Sequence, residues 1–397
     1  MVKTRVTRTV EIPDLLRVSR YRKIPELGPR ILFFSGGSAL NGLCKTLKSY
    51  THNSTHMVTT FDSGGSSAEL RHAFNMPSIG DLRSRLMALA DETVLGHPEV
   101  YELFNYRFPK DALNGVLRAR LEAMVGGNSD MVAVITNPIR QLICNQLGYF
   151  LDAMPEEFDL RGASIGNLIL AGGYLNNHQQ LNPIIFQFSK LVNVLGTVRA
   201  IVDEDLHLGA ELDDGSWVIG QHRLTGKEVA PLSSPVKNLF LSQSDDRYIP
   251  ADTQIKKTNR KLIEEAELIC YPPGSFYTSV LANLMPAGVG RAVAGNDCPK
   301  VYIPNLGSDP EQIGMNLEQM VKGLLGQLQS DVDEGCPNNK LLNFVLVDSK
   351  NGKYPSKLTA EFLKKRGIDL IDVKLISEAS SPFYDNDLLV SALLSLT

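Results

Sequence analysis

Two short apolar runs separated by a glycine-rich turn and a helix face constrain this chain more than any other feature. The first run, "RILFFS" at 30–35, reads as a buried parallel strand. "GGSALNGLCKTLKSY" follows, with Leu40, Leu43, Cys44 and Leu47 at the i, i+3, i+4, i+7 spacing of a helix face. The second run, "HMVTTF" at 56–61, is β-branched and closes at Asp62. Strand, turn, helix, strand is a βαβ unit, and its two strands must be parallel. Further apolar runs at 238–242, 267–271, 300–304 and 343–347 are separated by helical stretches. The expected fold is therefore α/β, a Rossmann-like, doubly wound and mostly parallel sheet.

Residues 1–29 form an N-terminal extension that is locally basic, read as an edge strand with a solvated arm, and 30–397 form the α/β domain. Two interruptions fall inside that domain. A helical insertion covers 111–155, where the amphipathic "LICNQLGYFLDAM" predicts a subunit contact, and hence a homo-oligomer, or a pocket lid. A β-rich excursion covers 195–230: alternation places Leu206, Leu208, Ala210 and Leu212 on one face, before a hairpin turn at Asp214-Gly215. Asp81 is expected to cap the helix of 79–91, and Ser164 the helix that follows it.

Composition excludes several partners. A net charge of −4 gives no footprint for nucleic acid. No apolar run approaches the roughly 18–20 residues of a membrane span. The five scattered cysteines lack a CxxC pair, which fits reduced thiols and a cytoplasmic location. The seven histidines form no HxH pair, and with the cysteines scattered no zinc site is expected. A GxSxG nucleophile elbow is also absent.

Ligands of doubly wound sheets sit at the carboxyl ends of the strands, and small-residue loops fall there. Gly36, Gly37 and Ser38 follow the first strand and open a helix, where free N–H groups and the helix dipole favour a phosphate. They match neither nucleotide motif: Gly42 is followed by Leu43 rather than Lys, and the adjacent Gly36-Gly37 breaks the dinucleotide spacing. That spacing sets aside a NAD-dependent dehydrogenase. The run Asp62, Ser63, Gly64, Gly65, Ser66, Ser67 is longer than a turn requires, and its small side chains leave N–H groups open to an anion. "PPGSFYTS" (272–279) stiffens a strand exit and then offers Gly274, Ser275, Thr278 and Ser279.

Taken in order, "FFSGGSALNGLCKTLK", "VTTFDSGGSSAELR", "GDLRSRLMALAD", "ELFNYRF", "GASIGNLIL" and "PPGSFYTSVLANLMPAGV" resemble the CofD-like proteins. "YDNDLLVSALLSL" (384–396) is similar to that family's C-terminal helix. The superfamily includes the 2-phospho-L-lactate transferase of deazaflavin coenzyme synthesis and the YvcK group of nucleotide-sugar-binding regulators. The Gly-Gly-Ser-Ser run and "PPGSFYTS" look like the YvcK group. Ser63 stands where that pattern has a second acid, Arg85 where it has Asn, and segment 111–155 is longer than in YvcK proteins.

The resemblance implies that Gly36, Gly37 and Ser38, with Gly274, Ser275, Thr278 and Ser279, cradle the phosphates of a nucleotide diphosphate or nucleotide sugar. Arg71 and Arg83 are candidates to neutralise phosphate charge, or form surface ion pairs. Asn167 is a candidate to read a base or sugar, or makes an ordinary helix hydrogen bond. Asp62 has three readings: a water-mediated ligand to Mg²⁺, a proton acceptor from an attacking hydroxyl, or a cap for Ser66. Two functions follow. The first is a nucleotide-ligand-binding regulator of metabolism or envelope growth. The second is a Mg²⁺-dependent transferase that moves a phospho-acid group from a nucleoside-diphosphate donor to a hydroxyl.

Overall fold

The computed structural model describes residues 9–93, 97–226, 229–307, 309–356 and 358–397. Among the described residues ten strands form two sheets. The larger contains β1 (Ile31–Ser35), β2 (Thr55–Val58), β3 (Thr197–Ala200), β7 (Leu268–Tyr271), β8 (Lys300–Tyr302), β9 (Phe344–Val347) and β10 (Asp369–Asp372). Their order is β10-β9-β8-β7-β1-β2-β3, and every pairing is parallel.

The apolar runs of the sequence become buried strands for a simple reason: helices cover both faces of the sheet. Ile31 and Phe33 point into one core, with Leu43, Leu86, Ile169 and Leu393. Leu32 and Phe34, one residue out of phase, point into the other with Ile263, Phe276, Val293 and Leu324. The chain runs outward from β1 through β2 to β3, then returns to place β7 on the opposite side of β1. This reversal opens a crevice at the carboxyl ends of β1, β2 and β7, the position where doubly wound sheets take ligands.

The smaller sheet is antiparallel, ordered β5-β4-β6, from β4 (His207–Leu212), β5 (Trp217–Ile219) and β6 (Val236–Ser242). Leu208, Ala210 and Leu212 are buried as the alternation required, and Gly215 takes φ +82° in the hairpin turn. The run at 238–242 belongs here rather than to the parallel sheet, because it pairs antiparallel with β4. The excursion thus extends past residue 230.

The insertion folds as helices Asn114–Val125, Asp130–Ala133 and Ile139–Ala153. Ile143, Leu147 and Phe150 turn inward. The last of these helices lies so close to helix Ile165–Asn176 that a Cβ on Gly172 would come within 1.8 Å of the Gln146 carbonyl. Of the N-terminal extension, the described part contains a helix, Leu15–Lys23, and no strand, while 1–8 lie outside the described residues. Asp14 caps it, and the Arg17 guanidinium donates to the carbonyl of Ser395 at 3.0 Å, fastening it to the C-terminal helix Asn386–Ser395.

Candidate functional site

A cleft of about 650 Å³ opens at the carboxyl ends of β1 and β2. Its floor is Gly37, Ser38, Asp62 and Gly64 to Ser67. Helix Gly80–Leu89 and the start of helix Ile165–Asn176 form the walls, loops 107–110 and 158–164 the rim, and Gln221, His222 and Thr225 close one side.

Gly36 sits where the strand-end loops converge. A Cβ there would lie 2.7 Å from Thr59 Oγ1 and 3.1 Å from Ser279 Oγ, so no larger residue fits without displacing them. The helix after this loop begins only at Asn41. Gly37, at φ +60°, donates its N–H to Asp81 Oδ2 at 2.7 Å. Asp81 therefore does not act as the expected cap: it lies in the first turn of helix Gly80–Leu89, and its carboxylate reaches across to the β1 loop. Ser38 is exposed and lines the cleft.

The long run after β2 is spent residue by residue. Asp62 Oδ1 accepts the Gly64 N–H at 3.2 Å. Ser63 Oγ bonds His222 Nδ1 at 2.8 Å and accepts the His222 N–H at 3.3 Å, tying the excursion to the cleft. Gly64 precedes helix Gly65–Phe74, and Gly65 opens it at φ +47°. The Ser67 N–H turns back to the Gly64 carbonyl at 3.2 Å, which leaves the N–H groups of Gly65 and Ser66 to carry the positive end of the dipole. Ser66 Oγ accepts from Asn167 Nδ2 at 3.3 Å. Ser67 is buried against Gly80, where a Cβ would come within 2.5 Å of its hydroxyl.

Arg83 lines the cleft although only 9% exposed. Its Nη1 donates to the Phe104 carbonyl at 3.2 Å, while its Nε makes no hydrogen bond. Burial, then the nearby Arg107, lowers its pKa to about 10, so it remains a desolvated cation at neutral pH. Asn167 Oδ1, Ser164 Oγ and Gln221 Oε1 also line the cleft, buried and without hydrogen bonds. Buried polar groups are normally paired, so these four atoms mark a place built for something polar. Ser164 does occupy the N-cap position of its helix, but its side chain makes no capping bond.

Arg71 has a different place. Its guanidinium pairs with Asp205 at 2.6 Å and donates to the carbonyls of Phe61, Asp62 and Leu206. It holds the β2 exit from behind and is not among the residues lining the cleft. Gly274, Ser275, Thr278 and Ser279 do not line it either. Gly274 N–H donates to Asn305 Oδ1 at 2.7 Å, and Ser275 precedes the π-helical turn Phe276–Leu281. The N–H of Phe276 goes to Asp309, and those of Tyr277 and Thr278 go to Glu311. The chain's own carboxylates thus fill this cradle of amides. Ser279 packs beside Gly36.

Sequence reasoning missed Arg107, Lys110, Arg161, Gln221 and His222, all of which line the cleft. Arg107 lies inside "ELFNYRF" and Arg161 just before "GASIGN", so the blocks themselves carried that signal. His222 was passed over because the histidines were weighed only as zinc pairs. Among the described residues no group of three or more His, Cys, Asp or Glu side chains is placed to hold a metal. All five cysteines are free thiols. No helix among the described residues is long and apolar enough to cross a membrane.

Residues 31–377 match the model of the family described as 2-phospho-L-lactate transferase CofD. The chain belongs to the CofD family. This CofD-family chain is 28% identical over 374 residues to the gluconeogenesis factor of Bacillus subtilis, covering 91% of itself and 93% of that protein. It is 28% identical over 354 residues to the putative gluconeogenesis factor of Thermotoga maritima, covering 87% of itself and 85% of that protein. A crystal structure of a UPF0052-family protein from Bacillus halodurans shares the fold, with TM-score 0.67 at 24% identity, covering 92% of this chain and 99% of that one.

Proposed function

We propose that the cleft binds a nucleotide diphosphate or nucleotide sugar, with its phosphates over the helix start at Gly65 to Ser67 and against Arg83. The observation that carries this reading is Arg83 itself, a nearly buried cation with an unused Nε donor on the wall of a polar cleft. An anion there offsets the desolvation of the guanidinium and takes up helix N-terminal N–H groups at once. Asn167 Oδ1, Ser164 Oγ and Gln221 Oε1 supply directional contacts for a sugar or base. The similarity to gluconeogenesis factors supports a regulatory protein of YvcK type, working in the cytoplasm.

Asp62 favours a second reading, a transferase. Its carboxylate lines the same cleft as the carboxylate of Asp81, and its Oδ2 lies 3.8 Å from the Cβ position of the intervening Gly80. Two carboxylates suit Mg²⁺ in the mode where phosphate oxygens and waters complete its octahedron. Bound there, Mg²⁺ would neutralise phosphate charge during transfer. Asp62 would orient and accept the proton of the attacking hydroxyl, while Arg83 and the helix start hold the phosphates.

A thermal-shift screen of nucleoside diphosphates and nucleotide sugars tests the binding reading. Mass spectrometry of incubations with Mg²⁺ and hydroxyl acceptors tests the transferase reading. A stabilising nucleotide with no new product supports the regulator. Absence of any stabilising nucleotide contradicts both.

A further inference from the structure

Gly37 is the turning point of the β1 loop, and packing of a side chain does not hold it. The site of its missing Cβ is open, with no atom within 4 Å, yet the residue keeps the left-handed φ of +60°. Its two peptide groups are gripped instead. The N–H goes to Asp81 Oδ2 at 2.7 Å, and the carbonyl accepts from Arg85 Nη2 at 3.2 Å. Asp81 and Arg85 are four apart on helix Gly80–Leu89, so one helix face clamps the residue from both ends.

Arg85 is only 1% exposed. A guanidinium that deep is costly unless its donors are used. Nη1 donates to Cys44 Sγ at 2.9 Å, and Nε makes no hydrogen bond. Cys44 lies on helix Asn41–Leu47, which follows the loop. One planar fork therefore ties the start of the loop to the helix after it, and Ser38 is set between the two anchors on the cleft floor.

We infer that Arg85 is a positioning residue for anion binding: it touches no ligand, but fixes the Gly37 peptide so that Ser38 faces the cleft. The inference rests on the reading of the cleft as an anion site. A lysine cannot replace the fork, because an ammonium lacks its planar pair of donors.

Inorganic pyrophosphate is the probe, with affinity read by calorimetry and folding by the ligand-free unfolding midpoint. Arg85→Lys is expected to weaken pyrophosphate about tenfold, the equivalent of one charged hydrogen bond. Gly37→Ala strains the same loop, so combining the two should cost little more than the worse single change. Arg85→Lys with Asn167→Ala, on the opposite wall, should instead multiply. Should Arg85→Lys not fold, Cys44→Ala withdraws the second anchor and is expected to weaken pyrophosphate about threefold. Unchanged affinity in a folded variant, or independent effects of Arg85→Lys and Gly37→Ala, overturns the inference alone. Wild-type protein that binds neither pyrophosphate nor any nucleotide overturns it together with the reading of the cleft.

Discussion

The carboxylate of Glu311 closes on Thr278, accepting its N–H at 2.9 Å and its hydroxyl at 2.5 Å. With the Tyr277 N–H at 3.0 Å, this fills the start of a helix where a phosphate was expected from the sequence. The cleft therefore relies on the other helix start, at Gly65, for its open amides.

Glu311 makes stability depend on pH. Burial, then the neighbouring Asp309, raises its pKa from 4.5 to about 7. The folded protein then binds a proton that the unfolded chain has already lost between these values. Stability is fully present below the unfolded value and is lost as pH rises through about 7. Relative to Glu311→Gln, the wild type should lose on the order of 3 kcal/mol between about pH 4.5 and 8. Urea unfolding across that range measures it, and a flat difference contradicts the assignment.

Arg71 should matter to folding first. Arg71→Met leaves Asp205 without its ion pair and three carbonyls without a donor. A loss of roughly 2–4 kcal/mol is expected by urea unfolding. Asp205→Asn should be non-additive with it, since both act on one pair. Full additivity would count against the clamp.

Arg83 should behave in the opposite way. Arg83→Met removes a desolvated cation with an unused donor, so ligand-free stability should hold or rise slightly. Affinity for a bound nucleotide should fall about tenfold to a hundredfold. Calorimetry beside a thermal midpoint separates the two effects. A large loss of stability with unchanged affinity would make Arg83 a structural residue.

Much of the fold was legible because covered strands must be apolar throughout: Ile31 to Phe34 feed two cores and could not alternate with polar residues. The cleft was legible where small residues cluster after β1 and β2: Gly37, Ser38 and Gly64 to Ser67 line it, while Gly36 packs beneath it against Thr59 and Ser279. What the sequence hid is contact over distance. Thr278 finds Glu311 33 residues later, and Arg71 finds Asp205 134 residues later. Neither partner bears a local signature. The strand at 238–242 was misplaced for the same reason: its partner, not its composition, decides which sheet it joins.

Asp62→Asn distinguishes chemistry from binding. Asn keeps the size and the turn to Gly64 N–H, because Asn and Asp cap about equally well. Nucleotide binding without metal should be spared, while Mg²⁺-dependent binding or turnover should be lost. A variant with wild-type Mg²⁺ dependence would assign Asp62 to the turn alone.

The most direct test of the central claim is nucleotide titration of wild type and Arg83→Met, followed by thermal unfolding. A nucleotide diphosphate at about 100 times its dissociation constant should stabilise the wild type by about 2.7 kcal/mol. At the same concentration the shift should be much smaller in Arg83→Met. No stabilisation by any nucleotide, or an equal shift in both proteins, would contradict a phosphate site in this cleft.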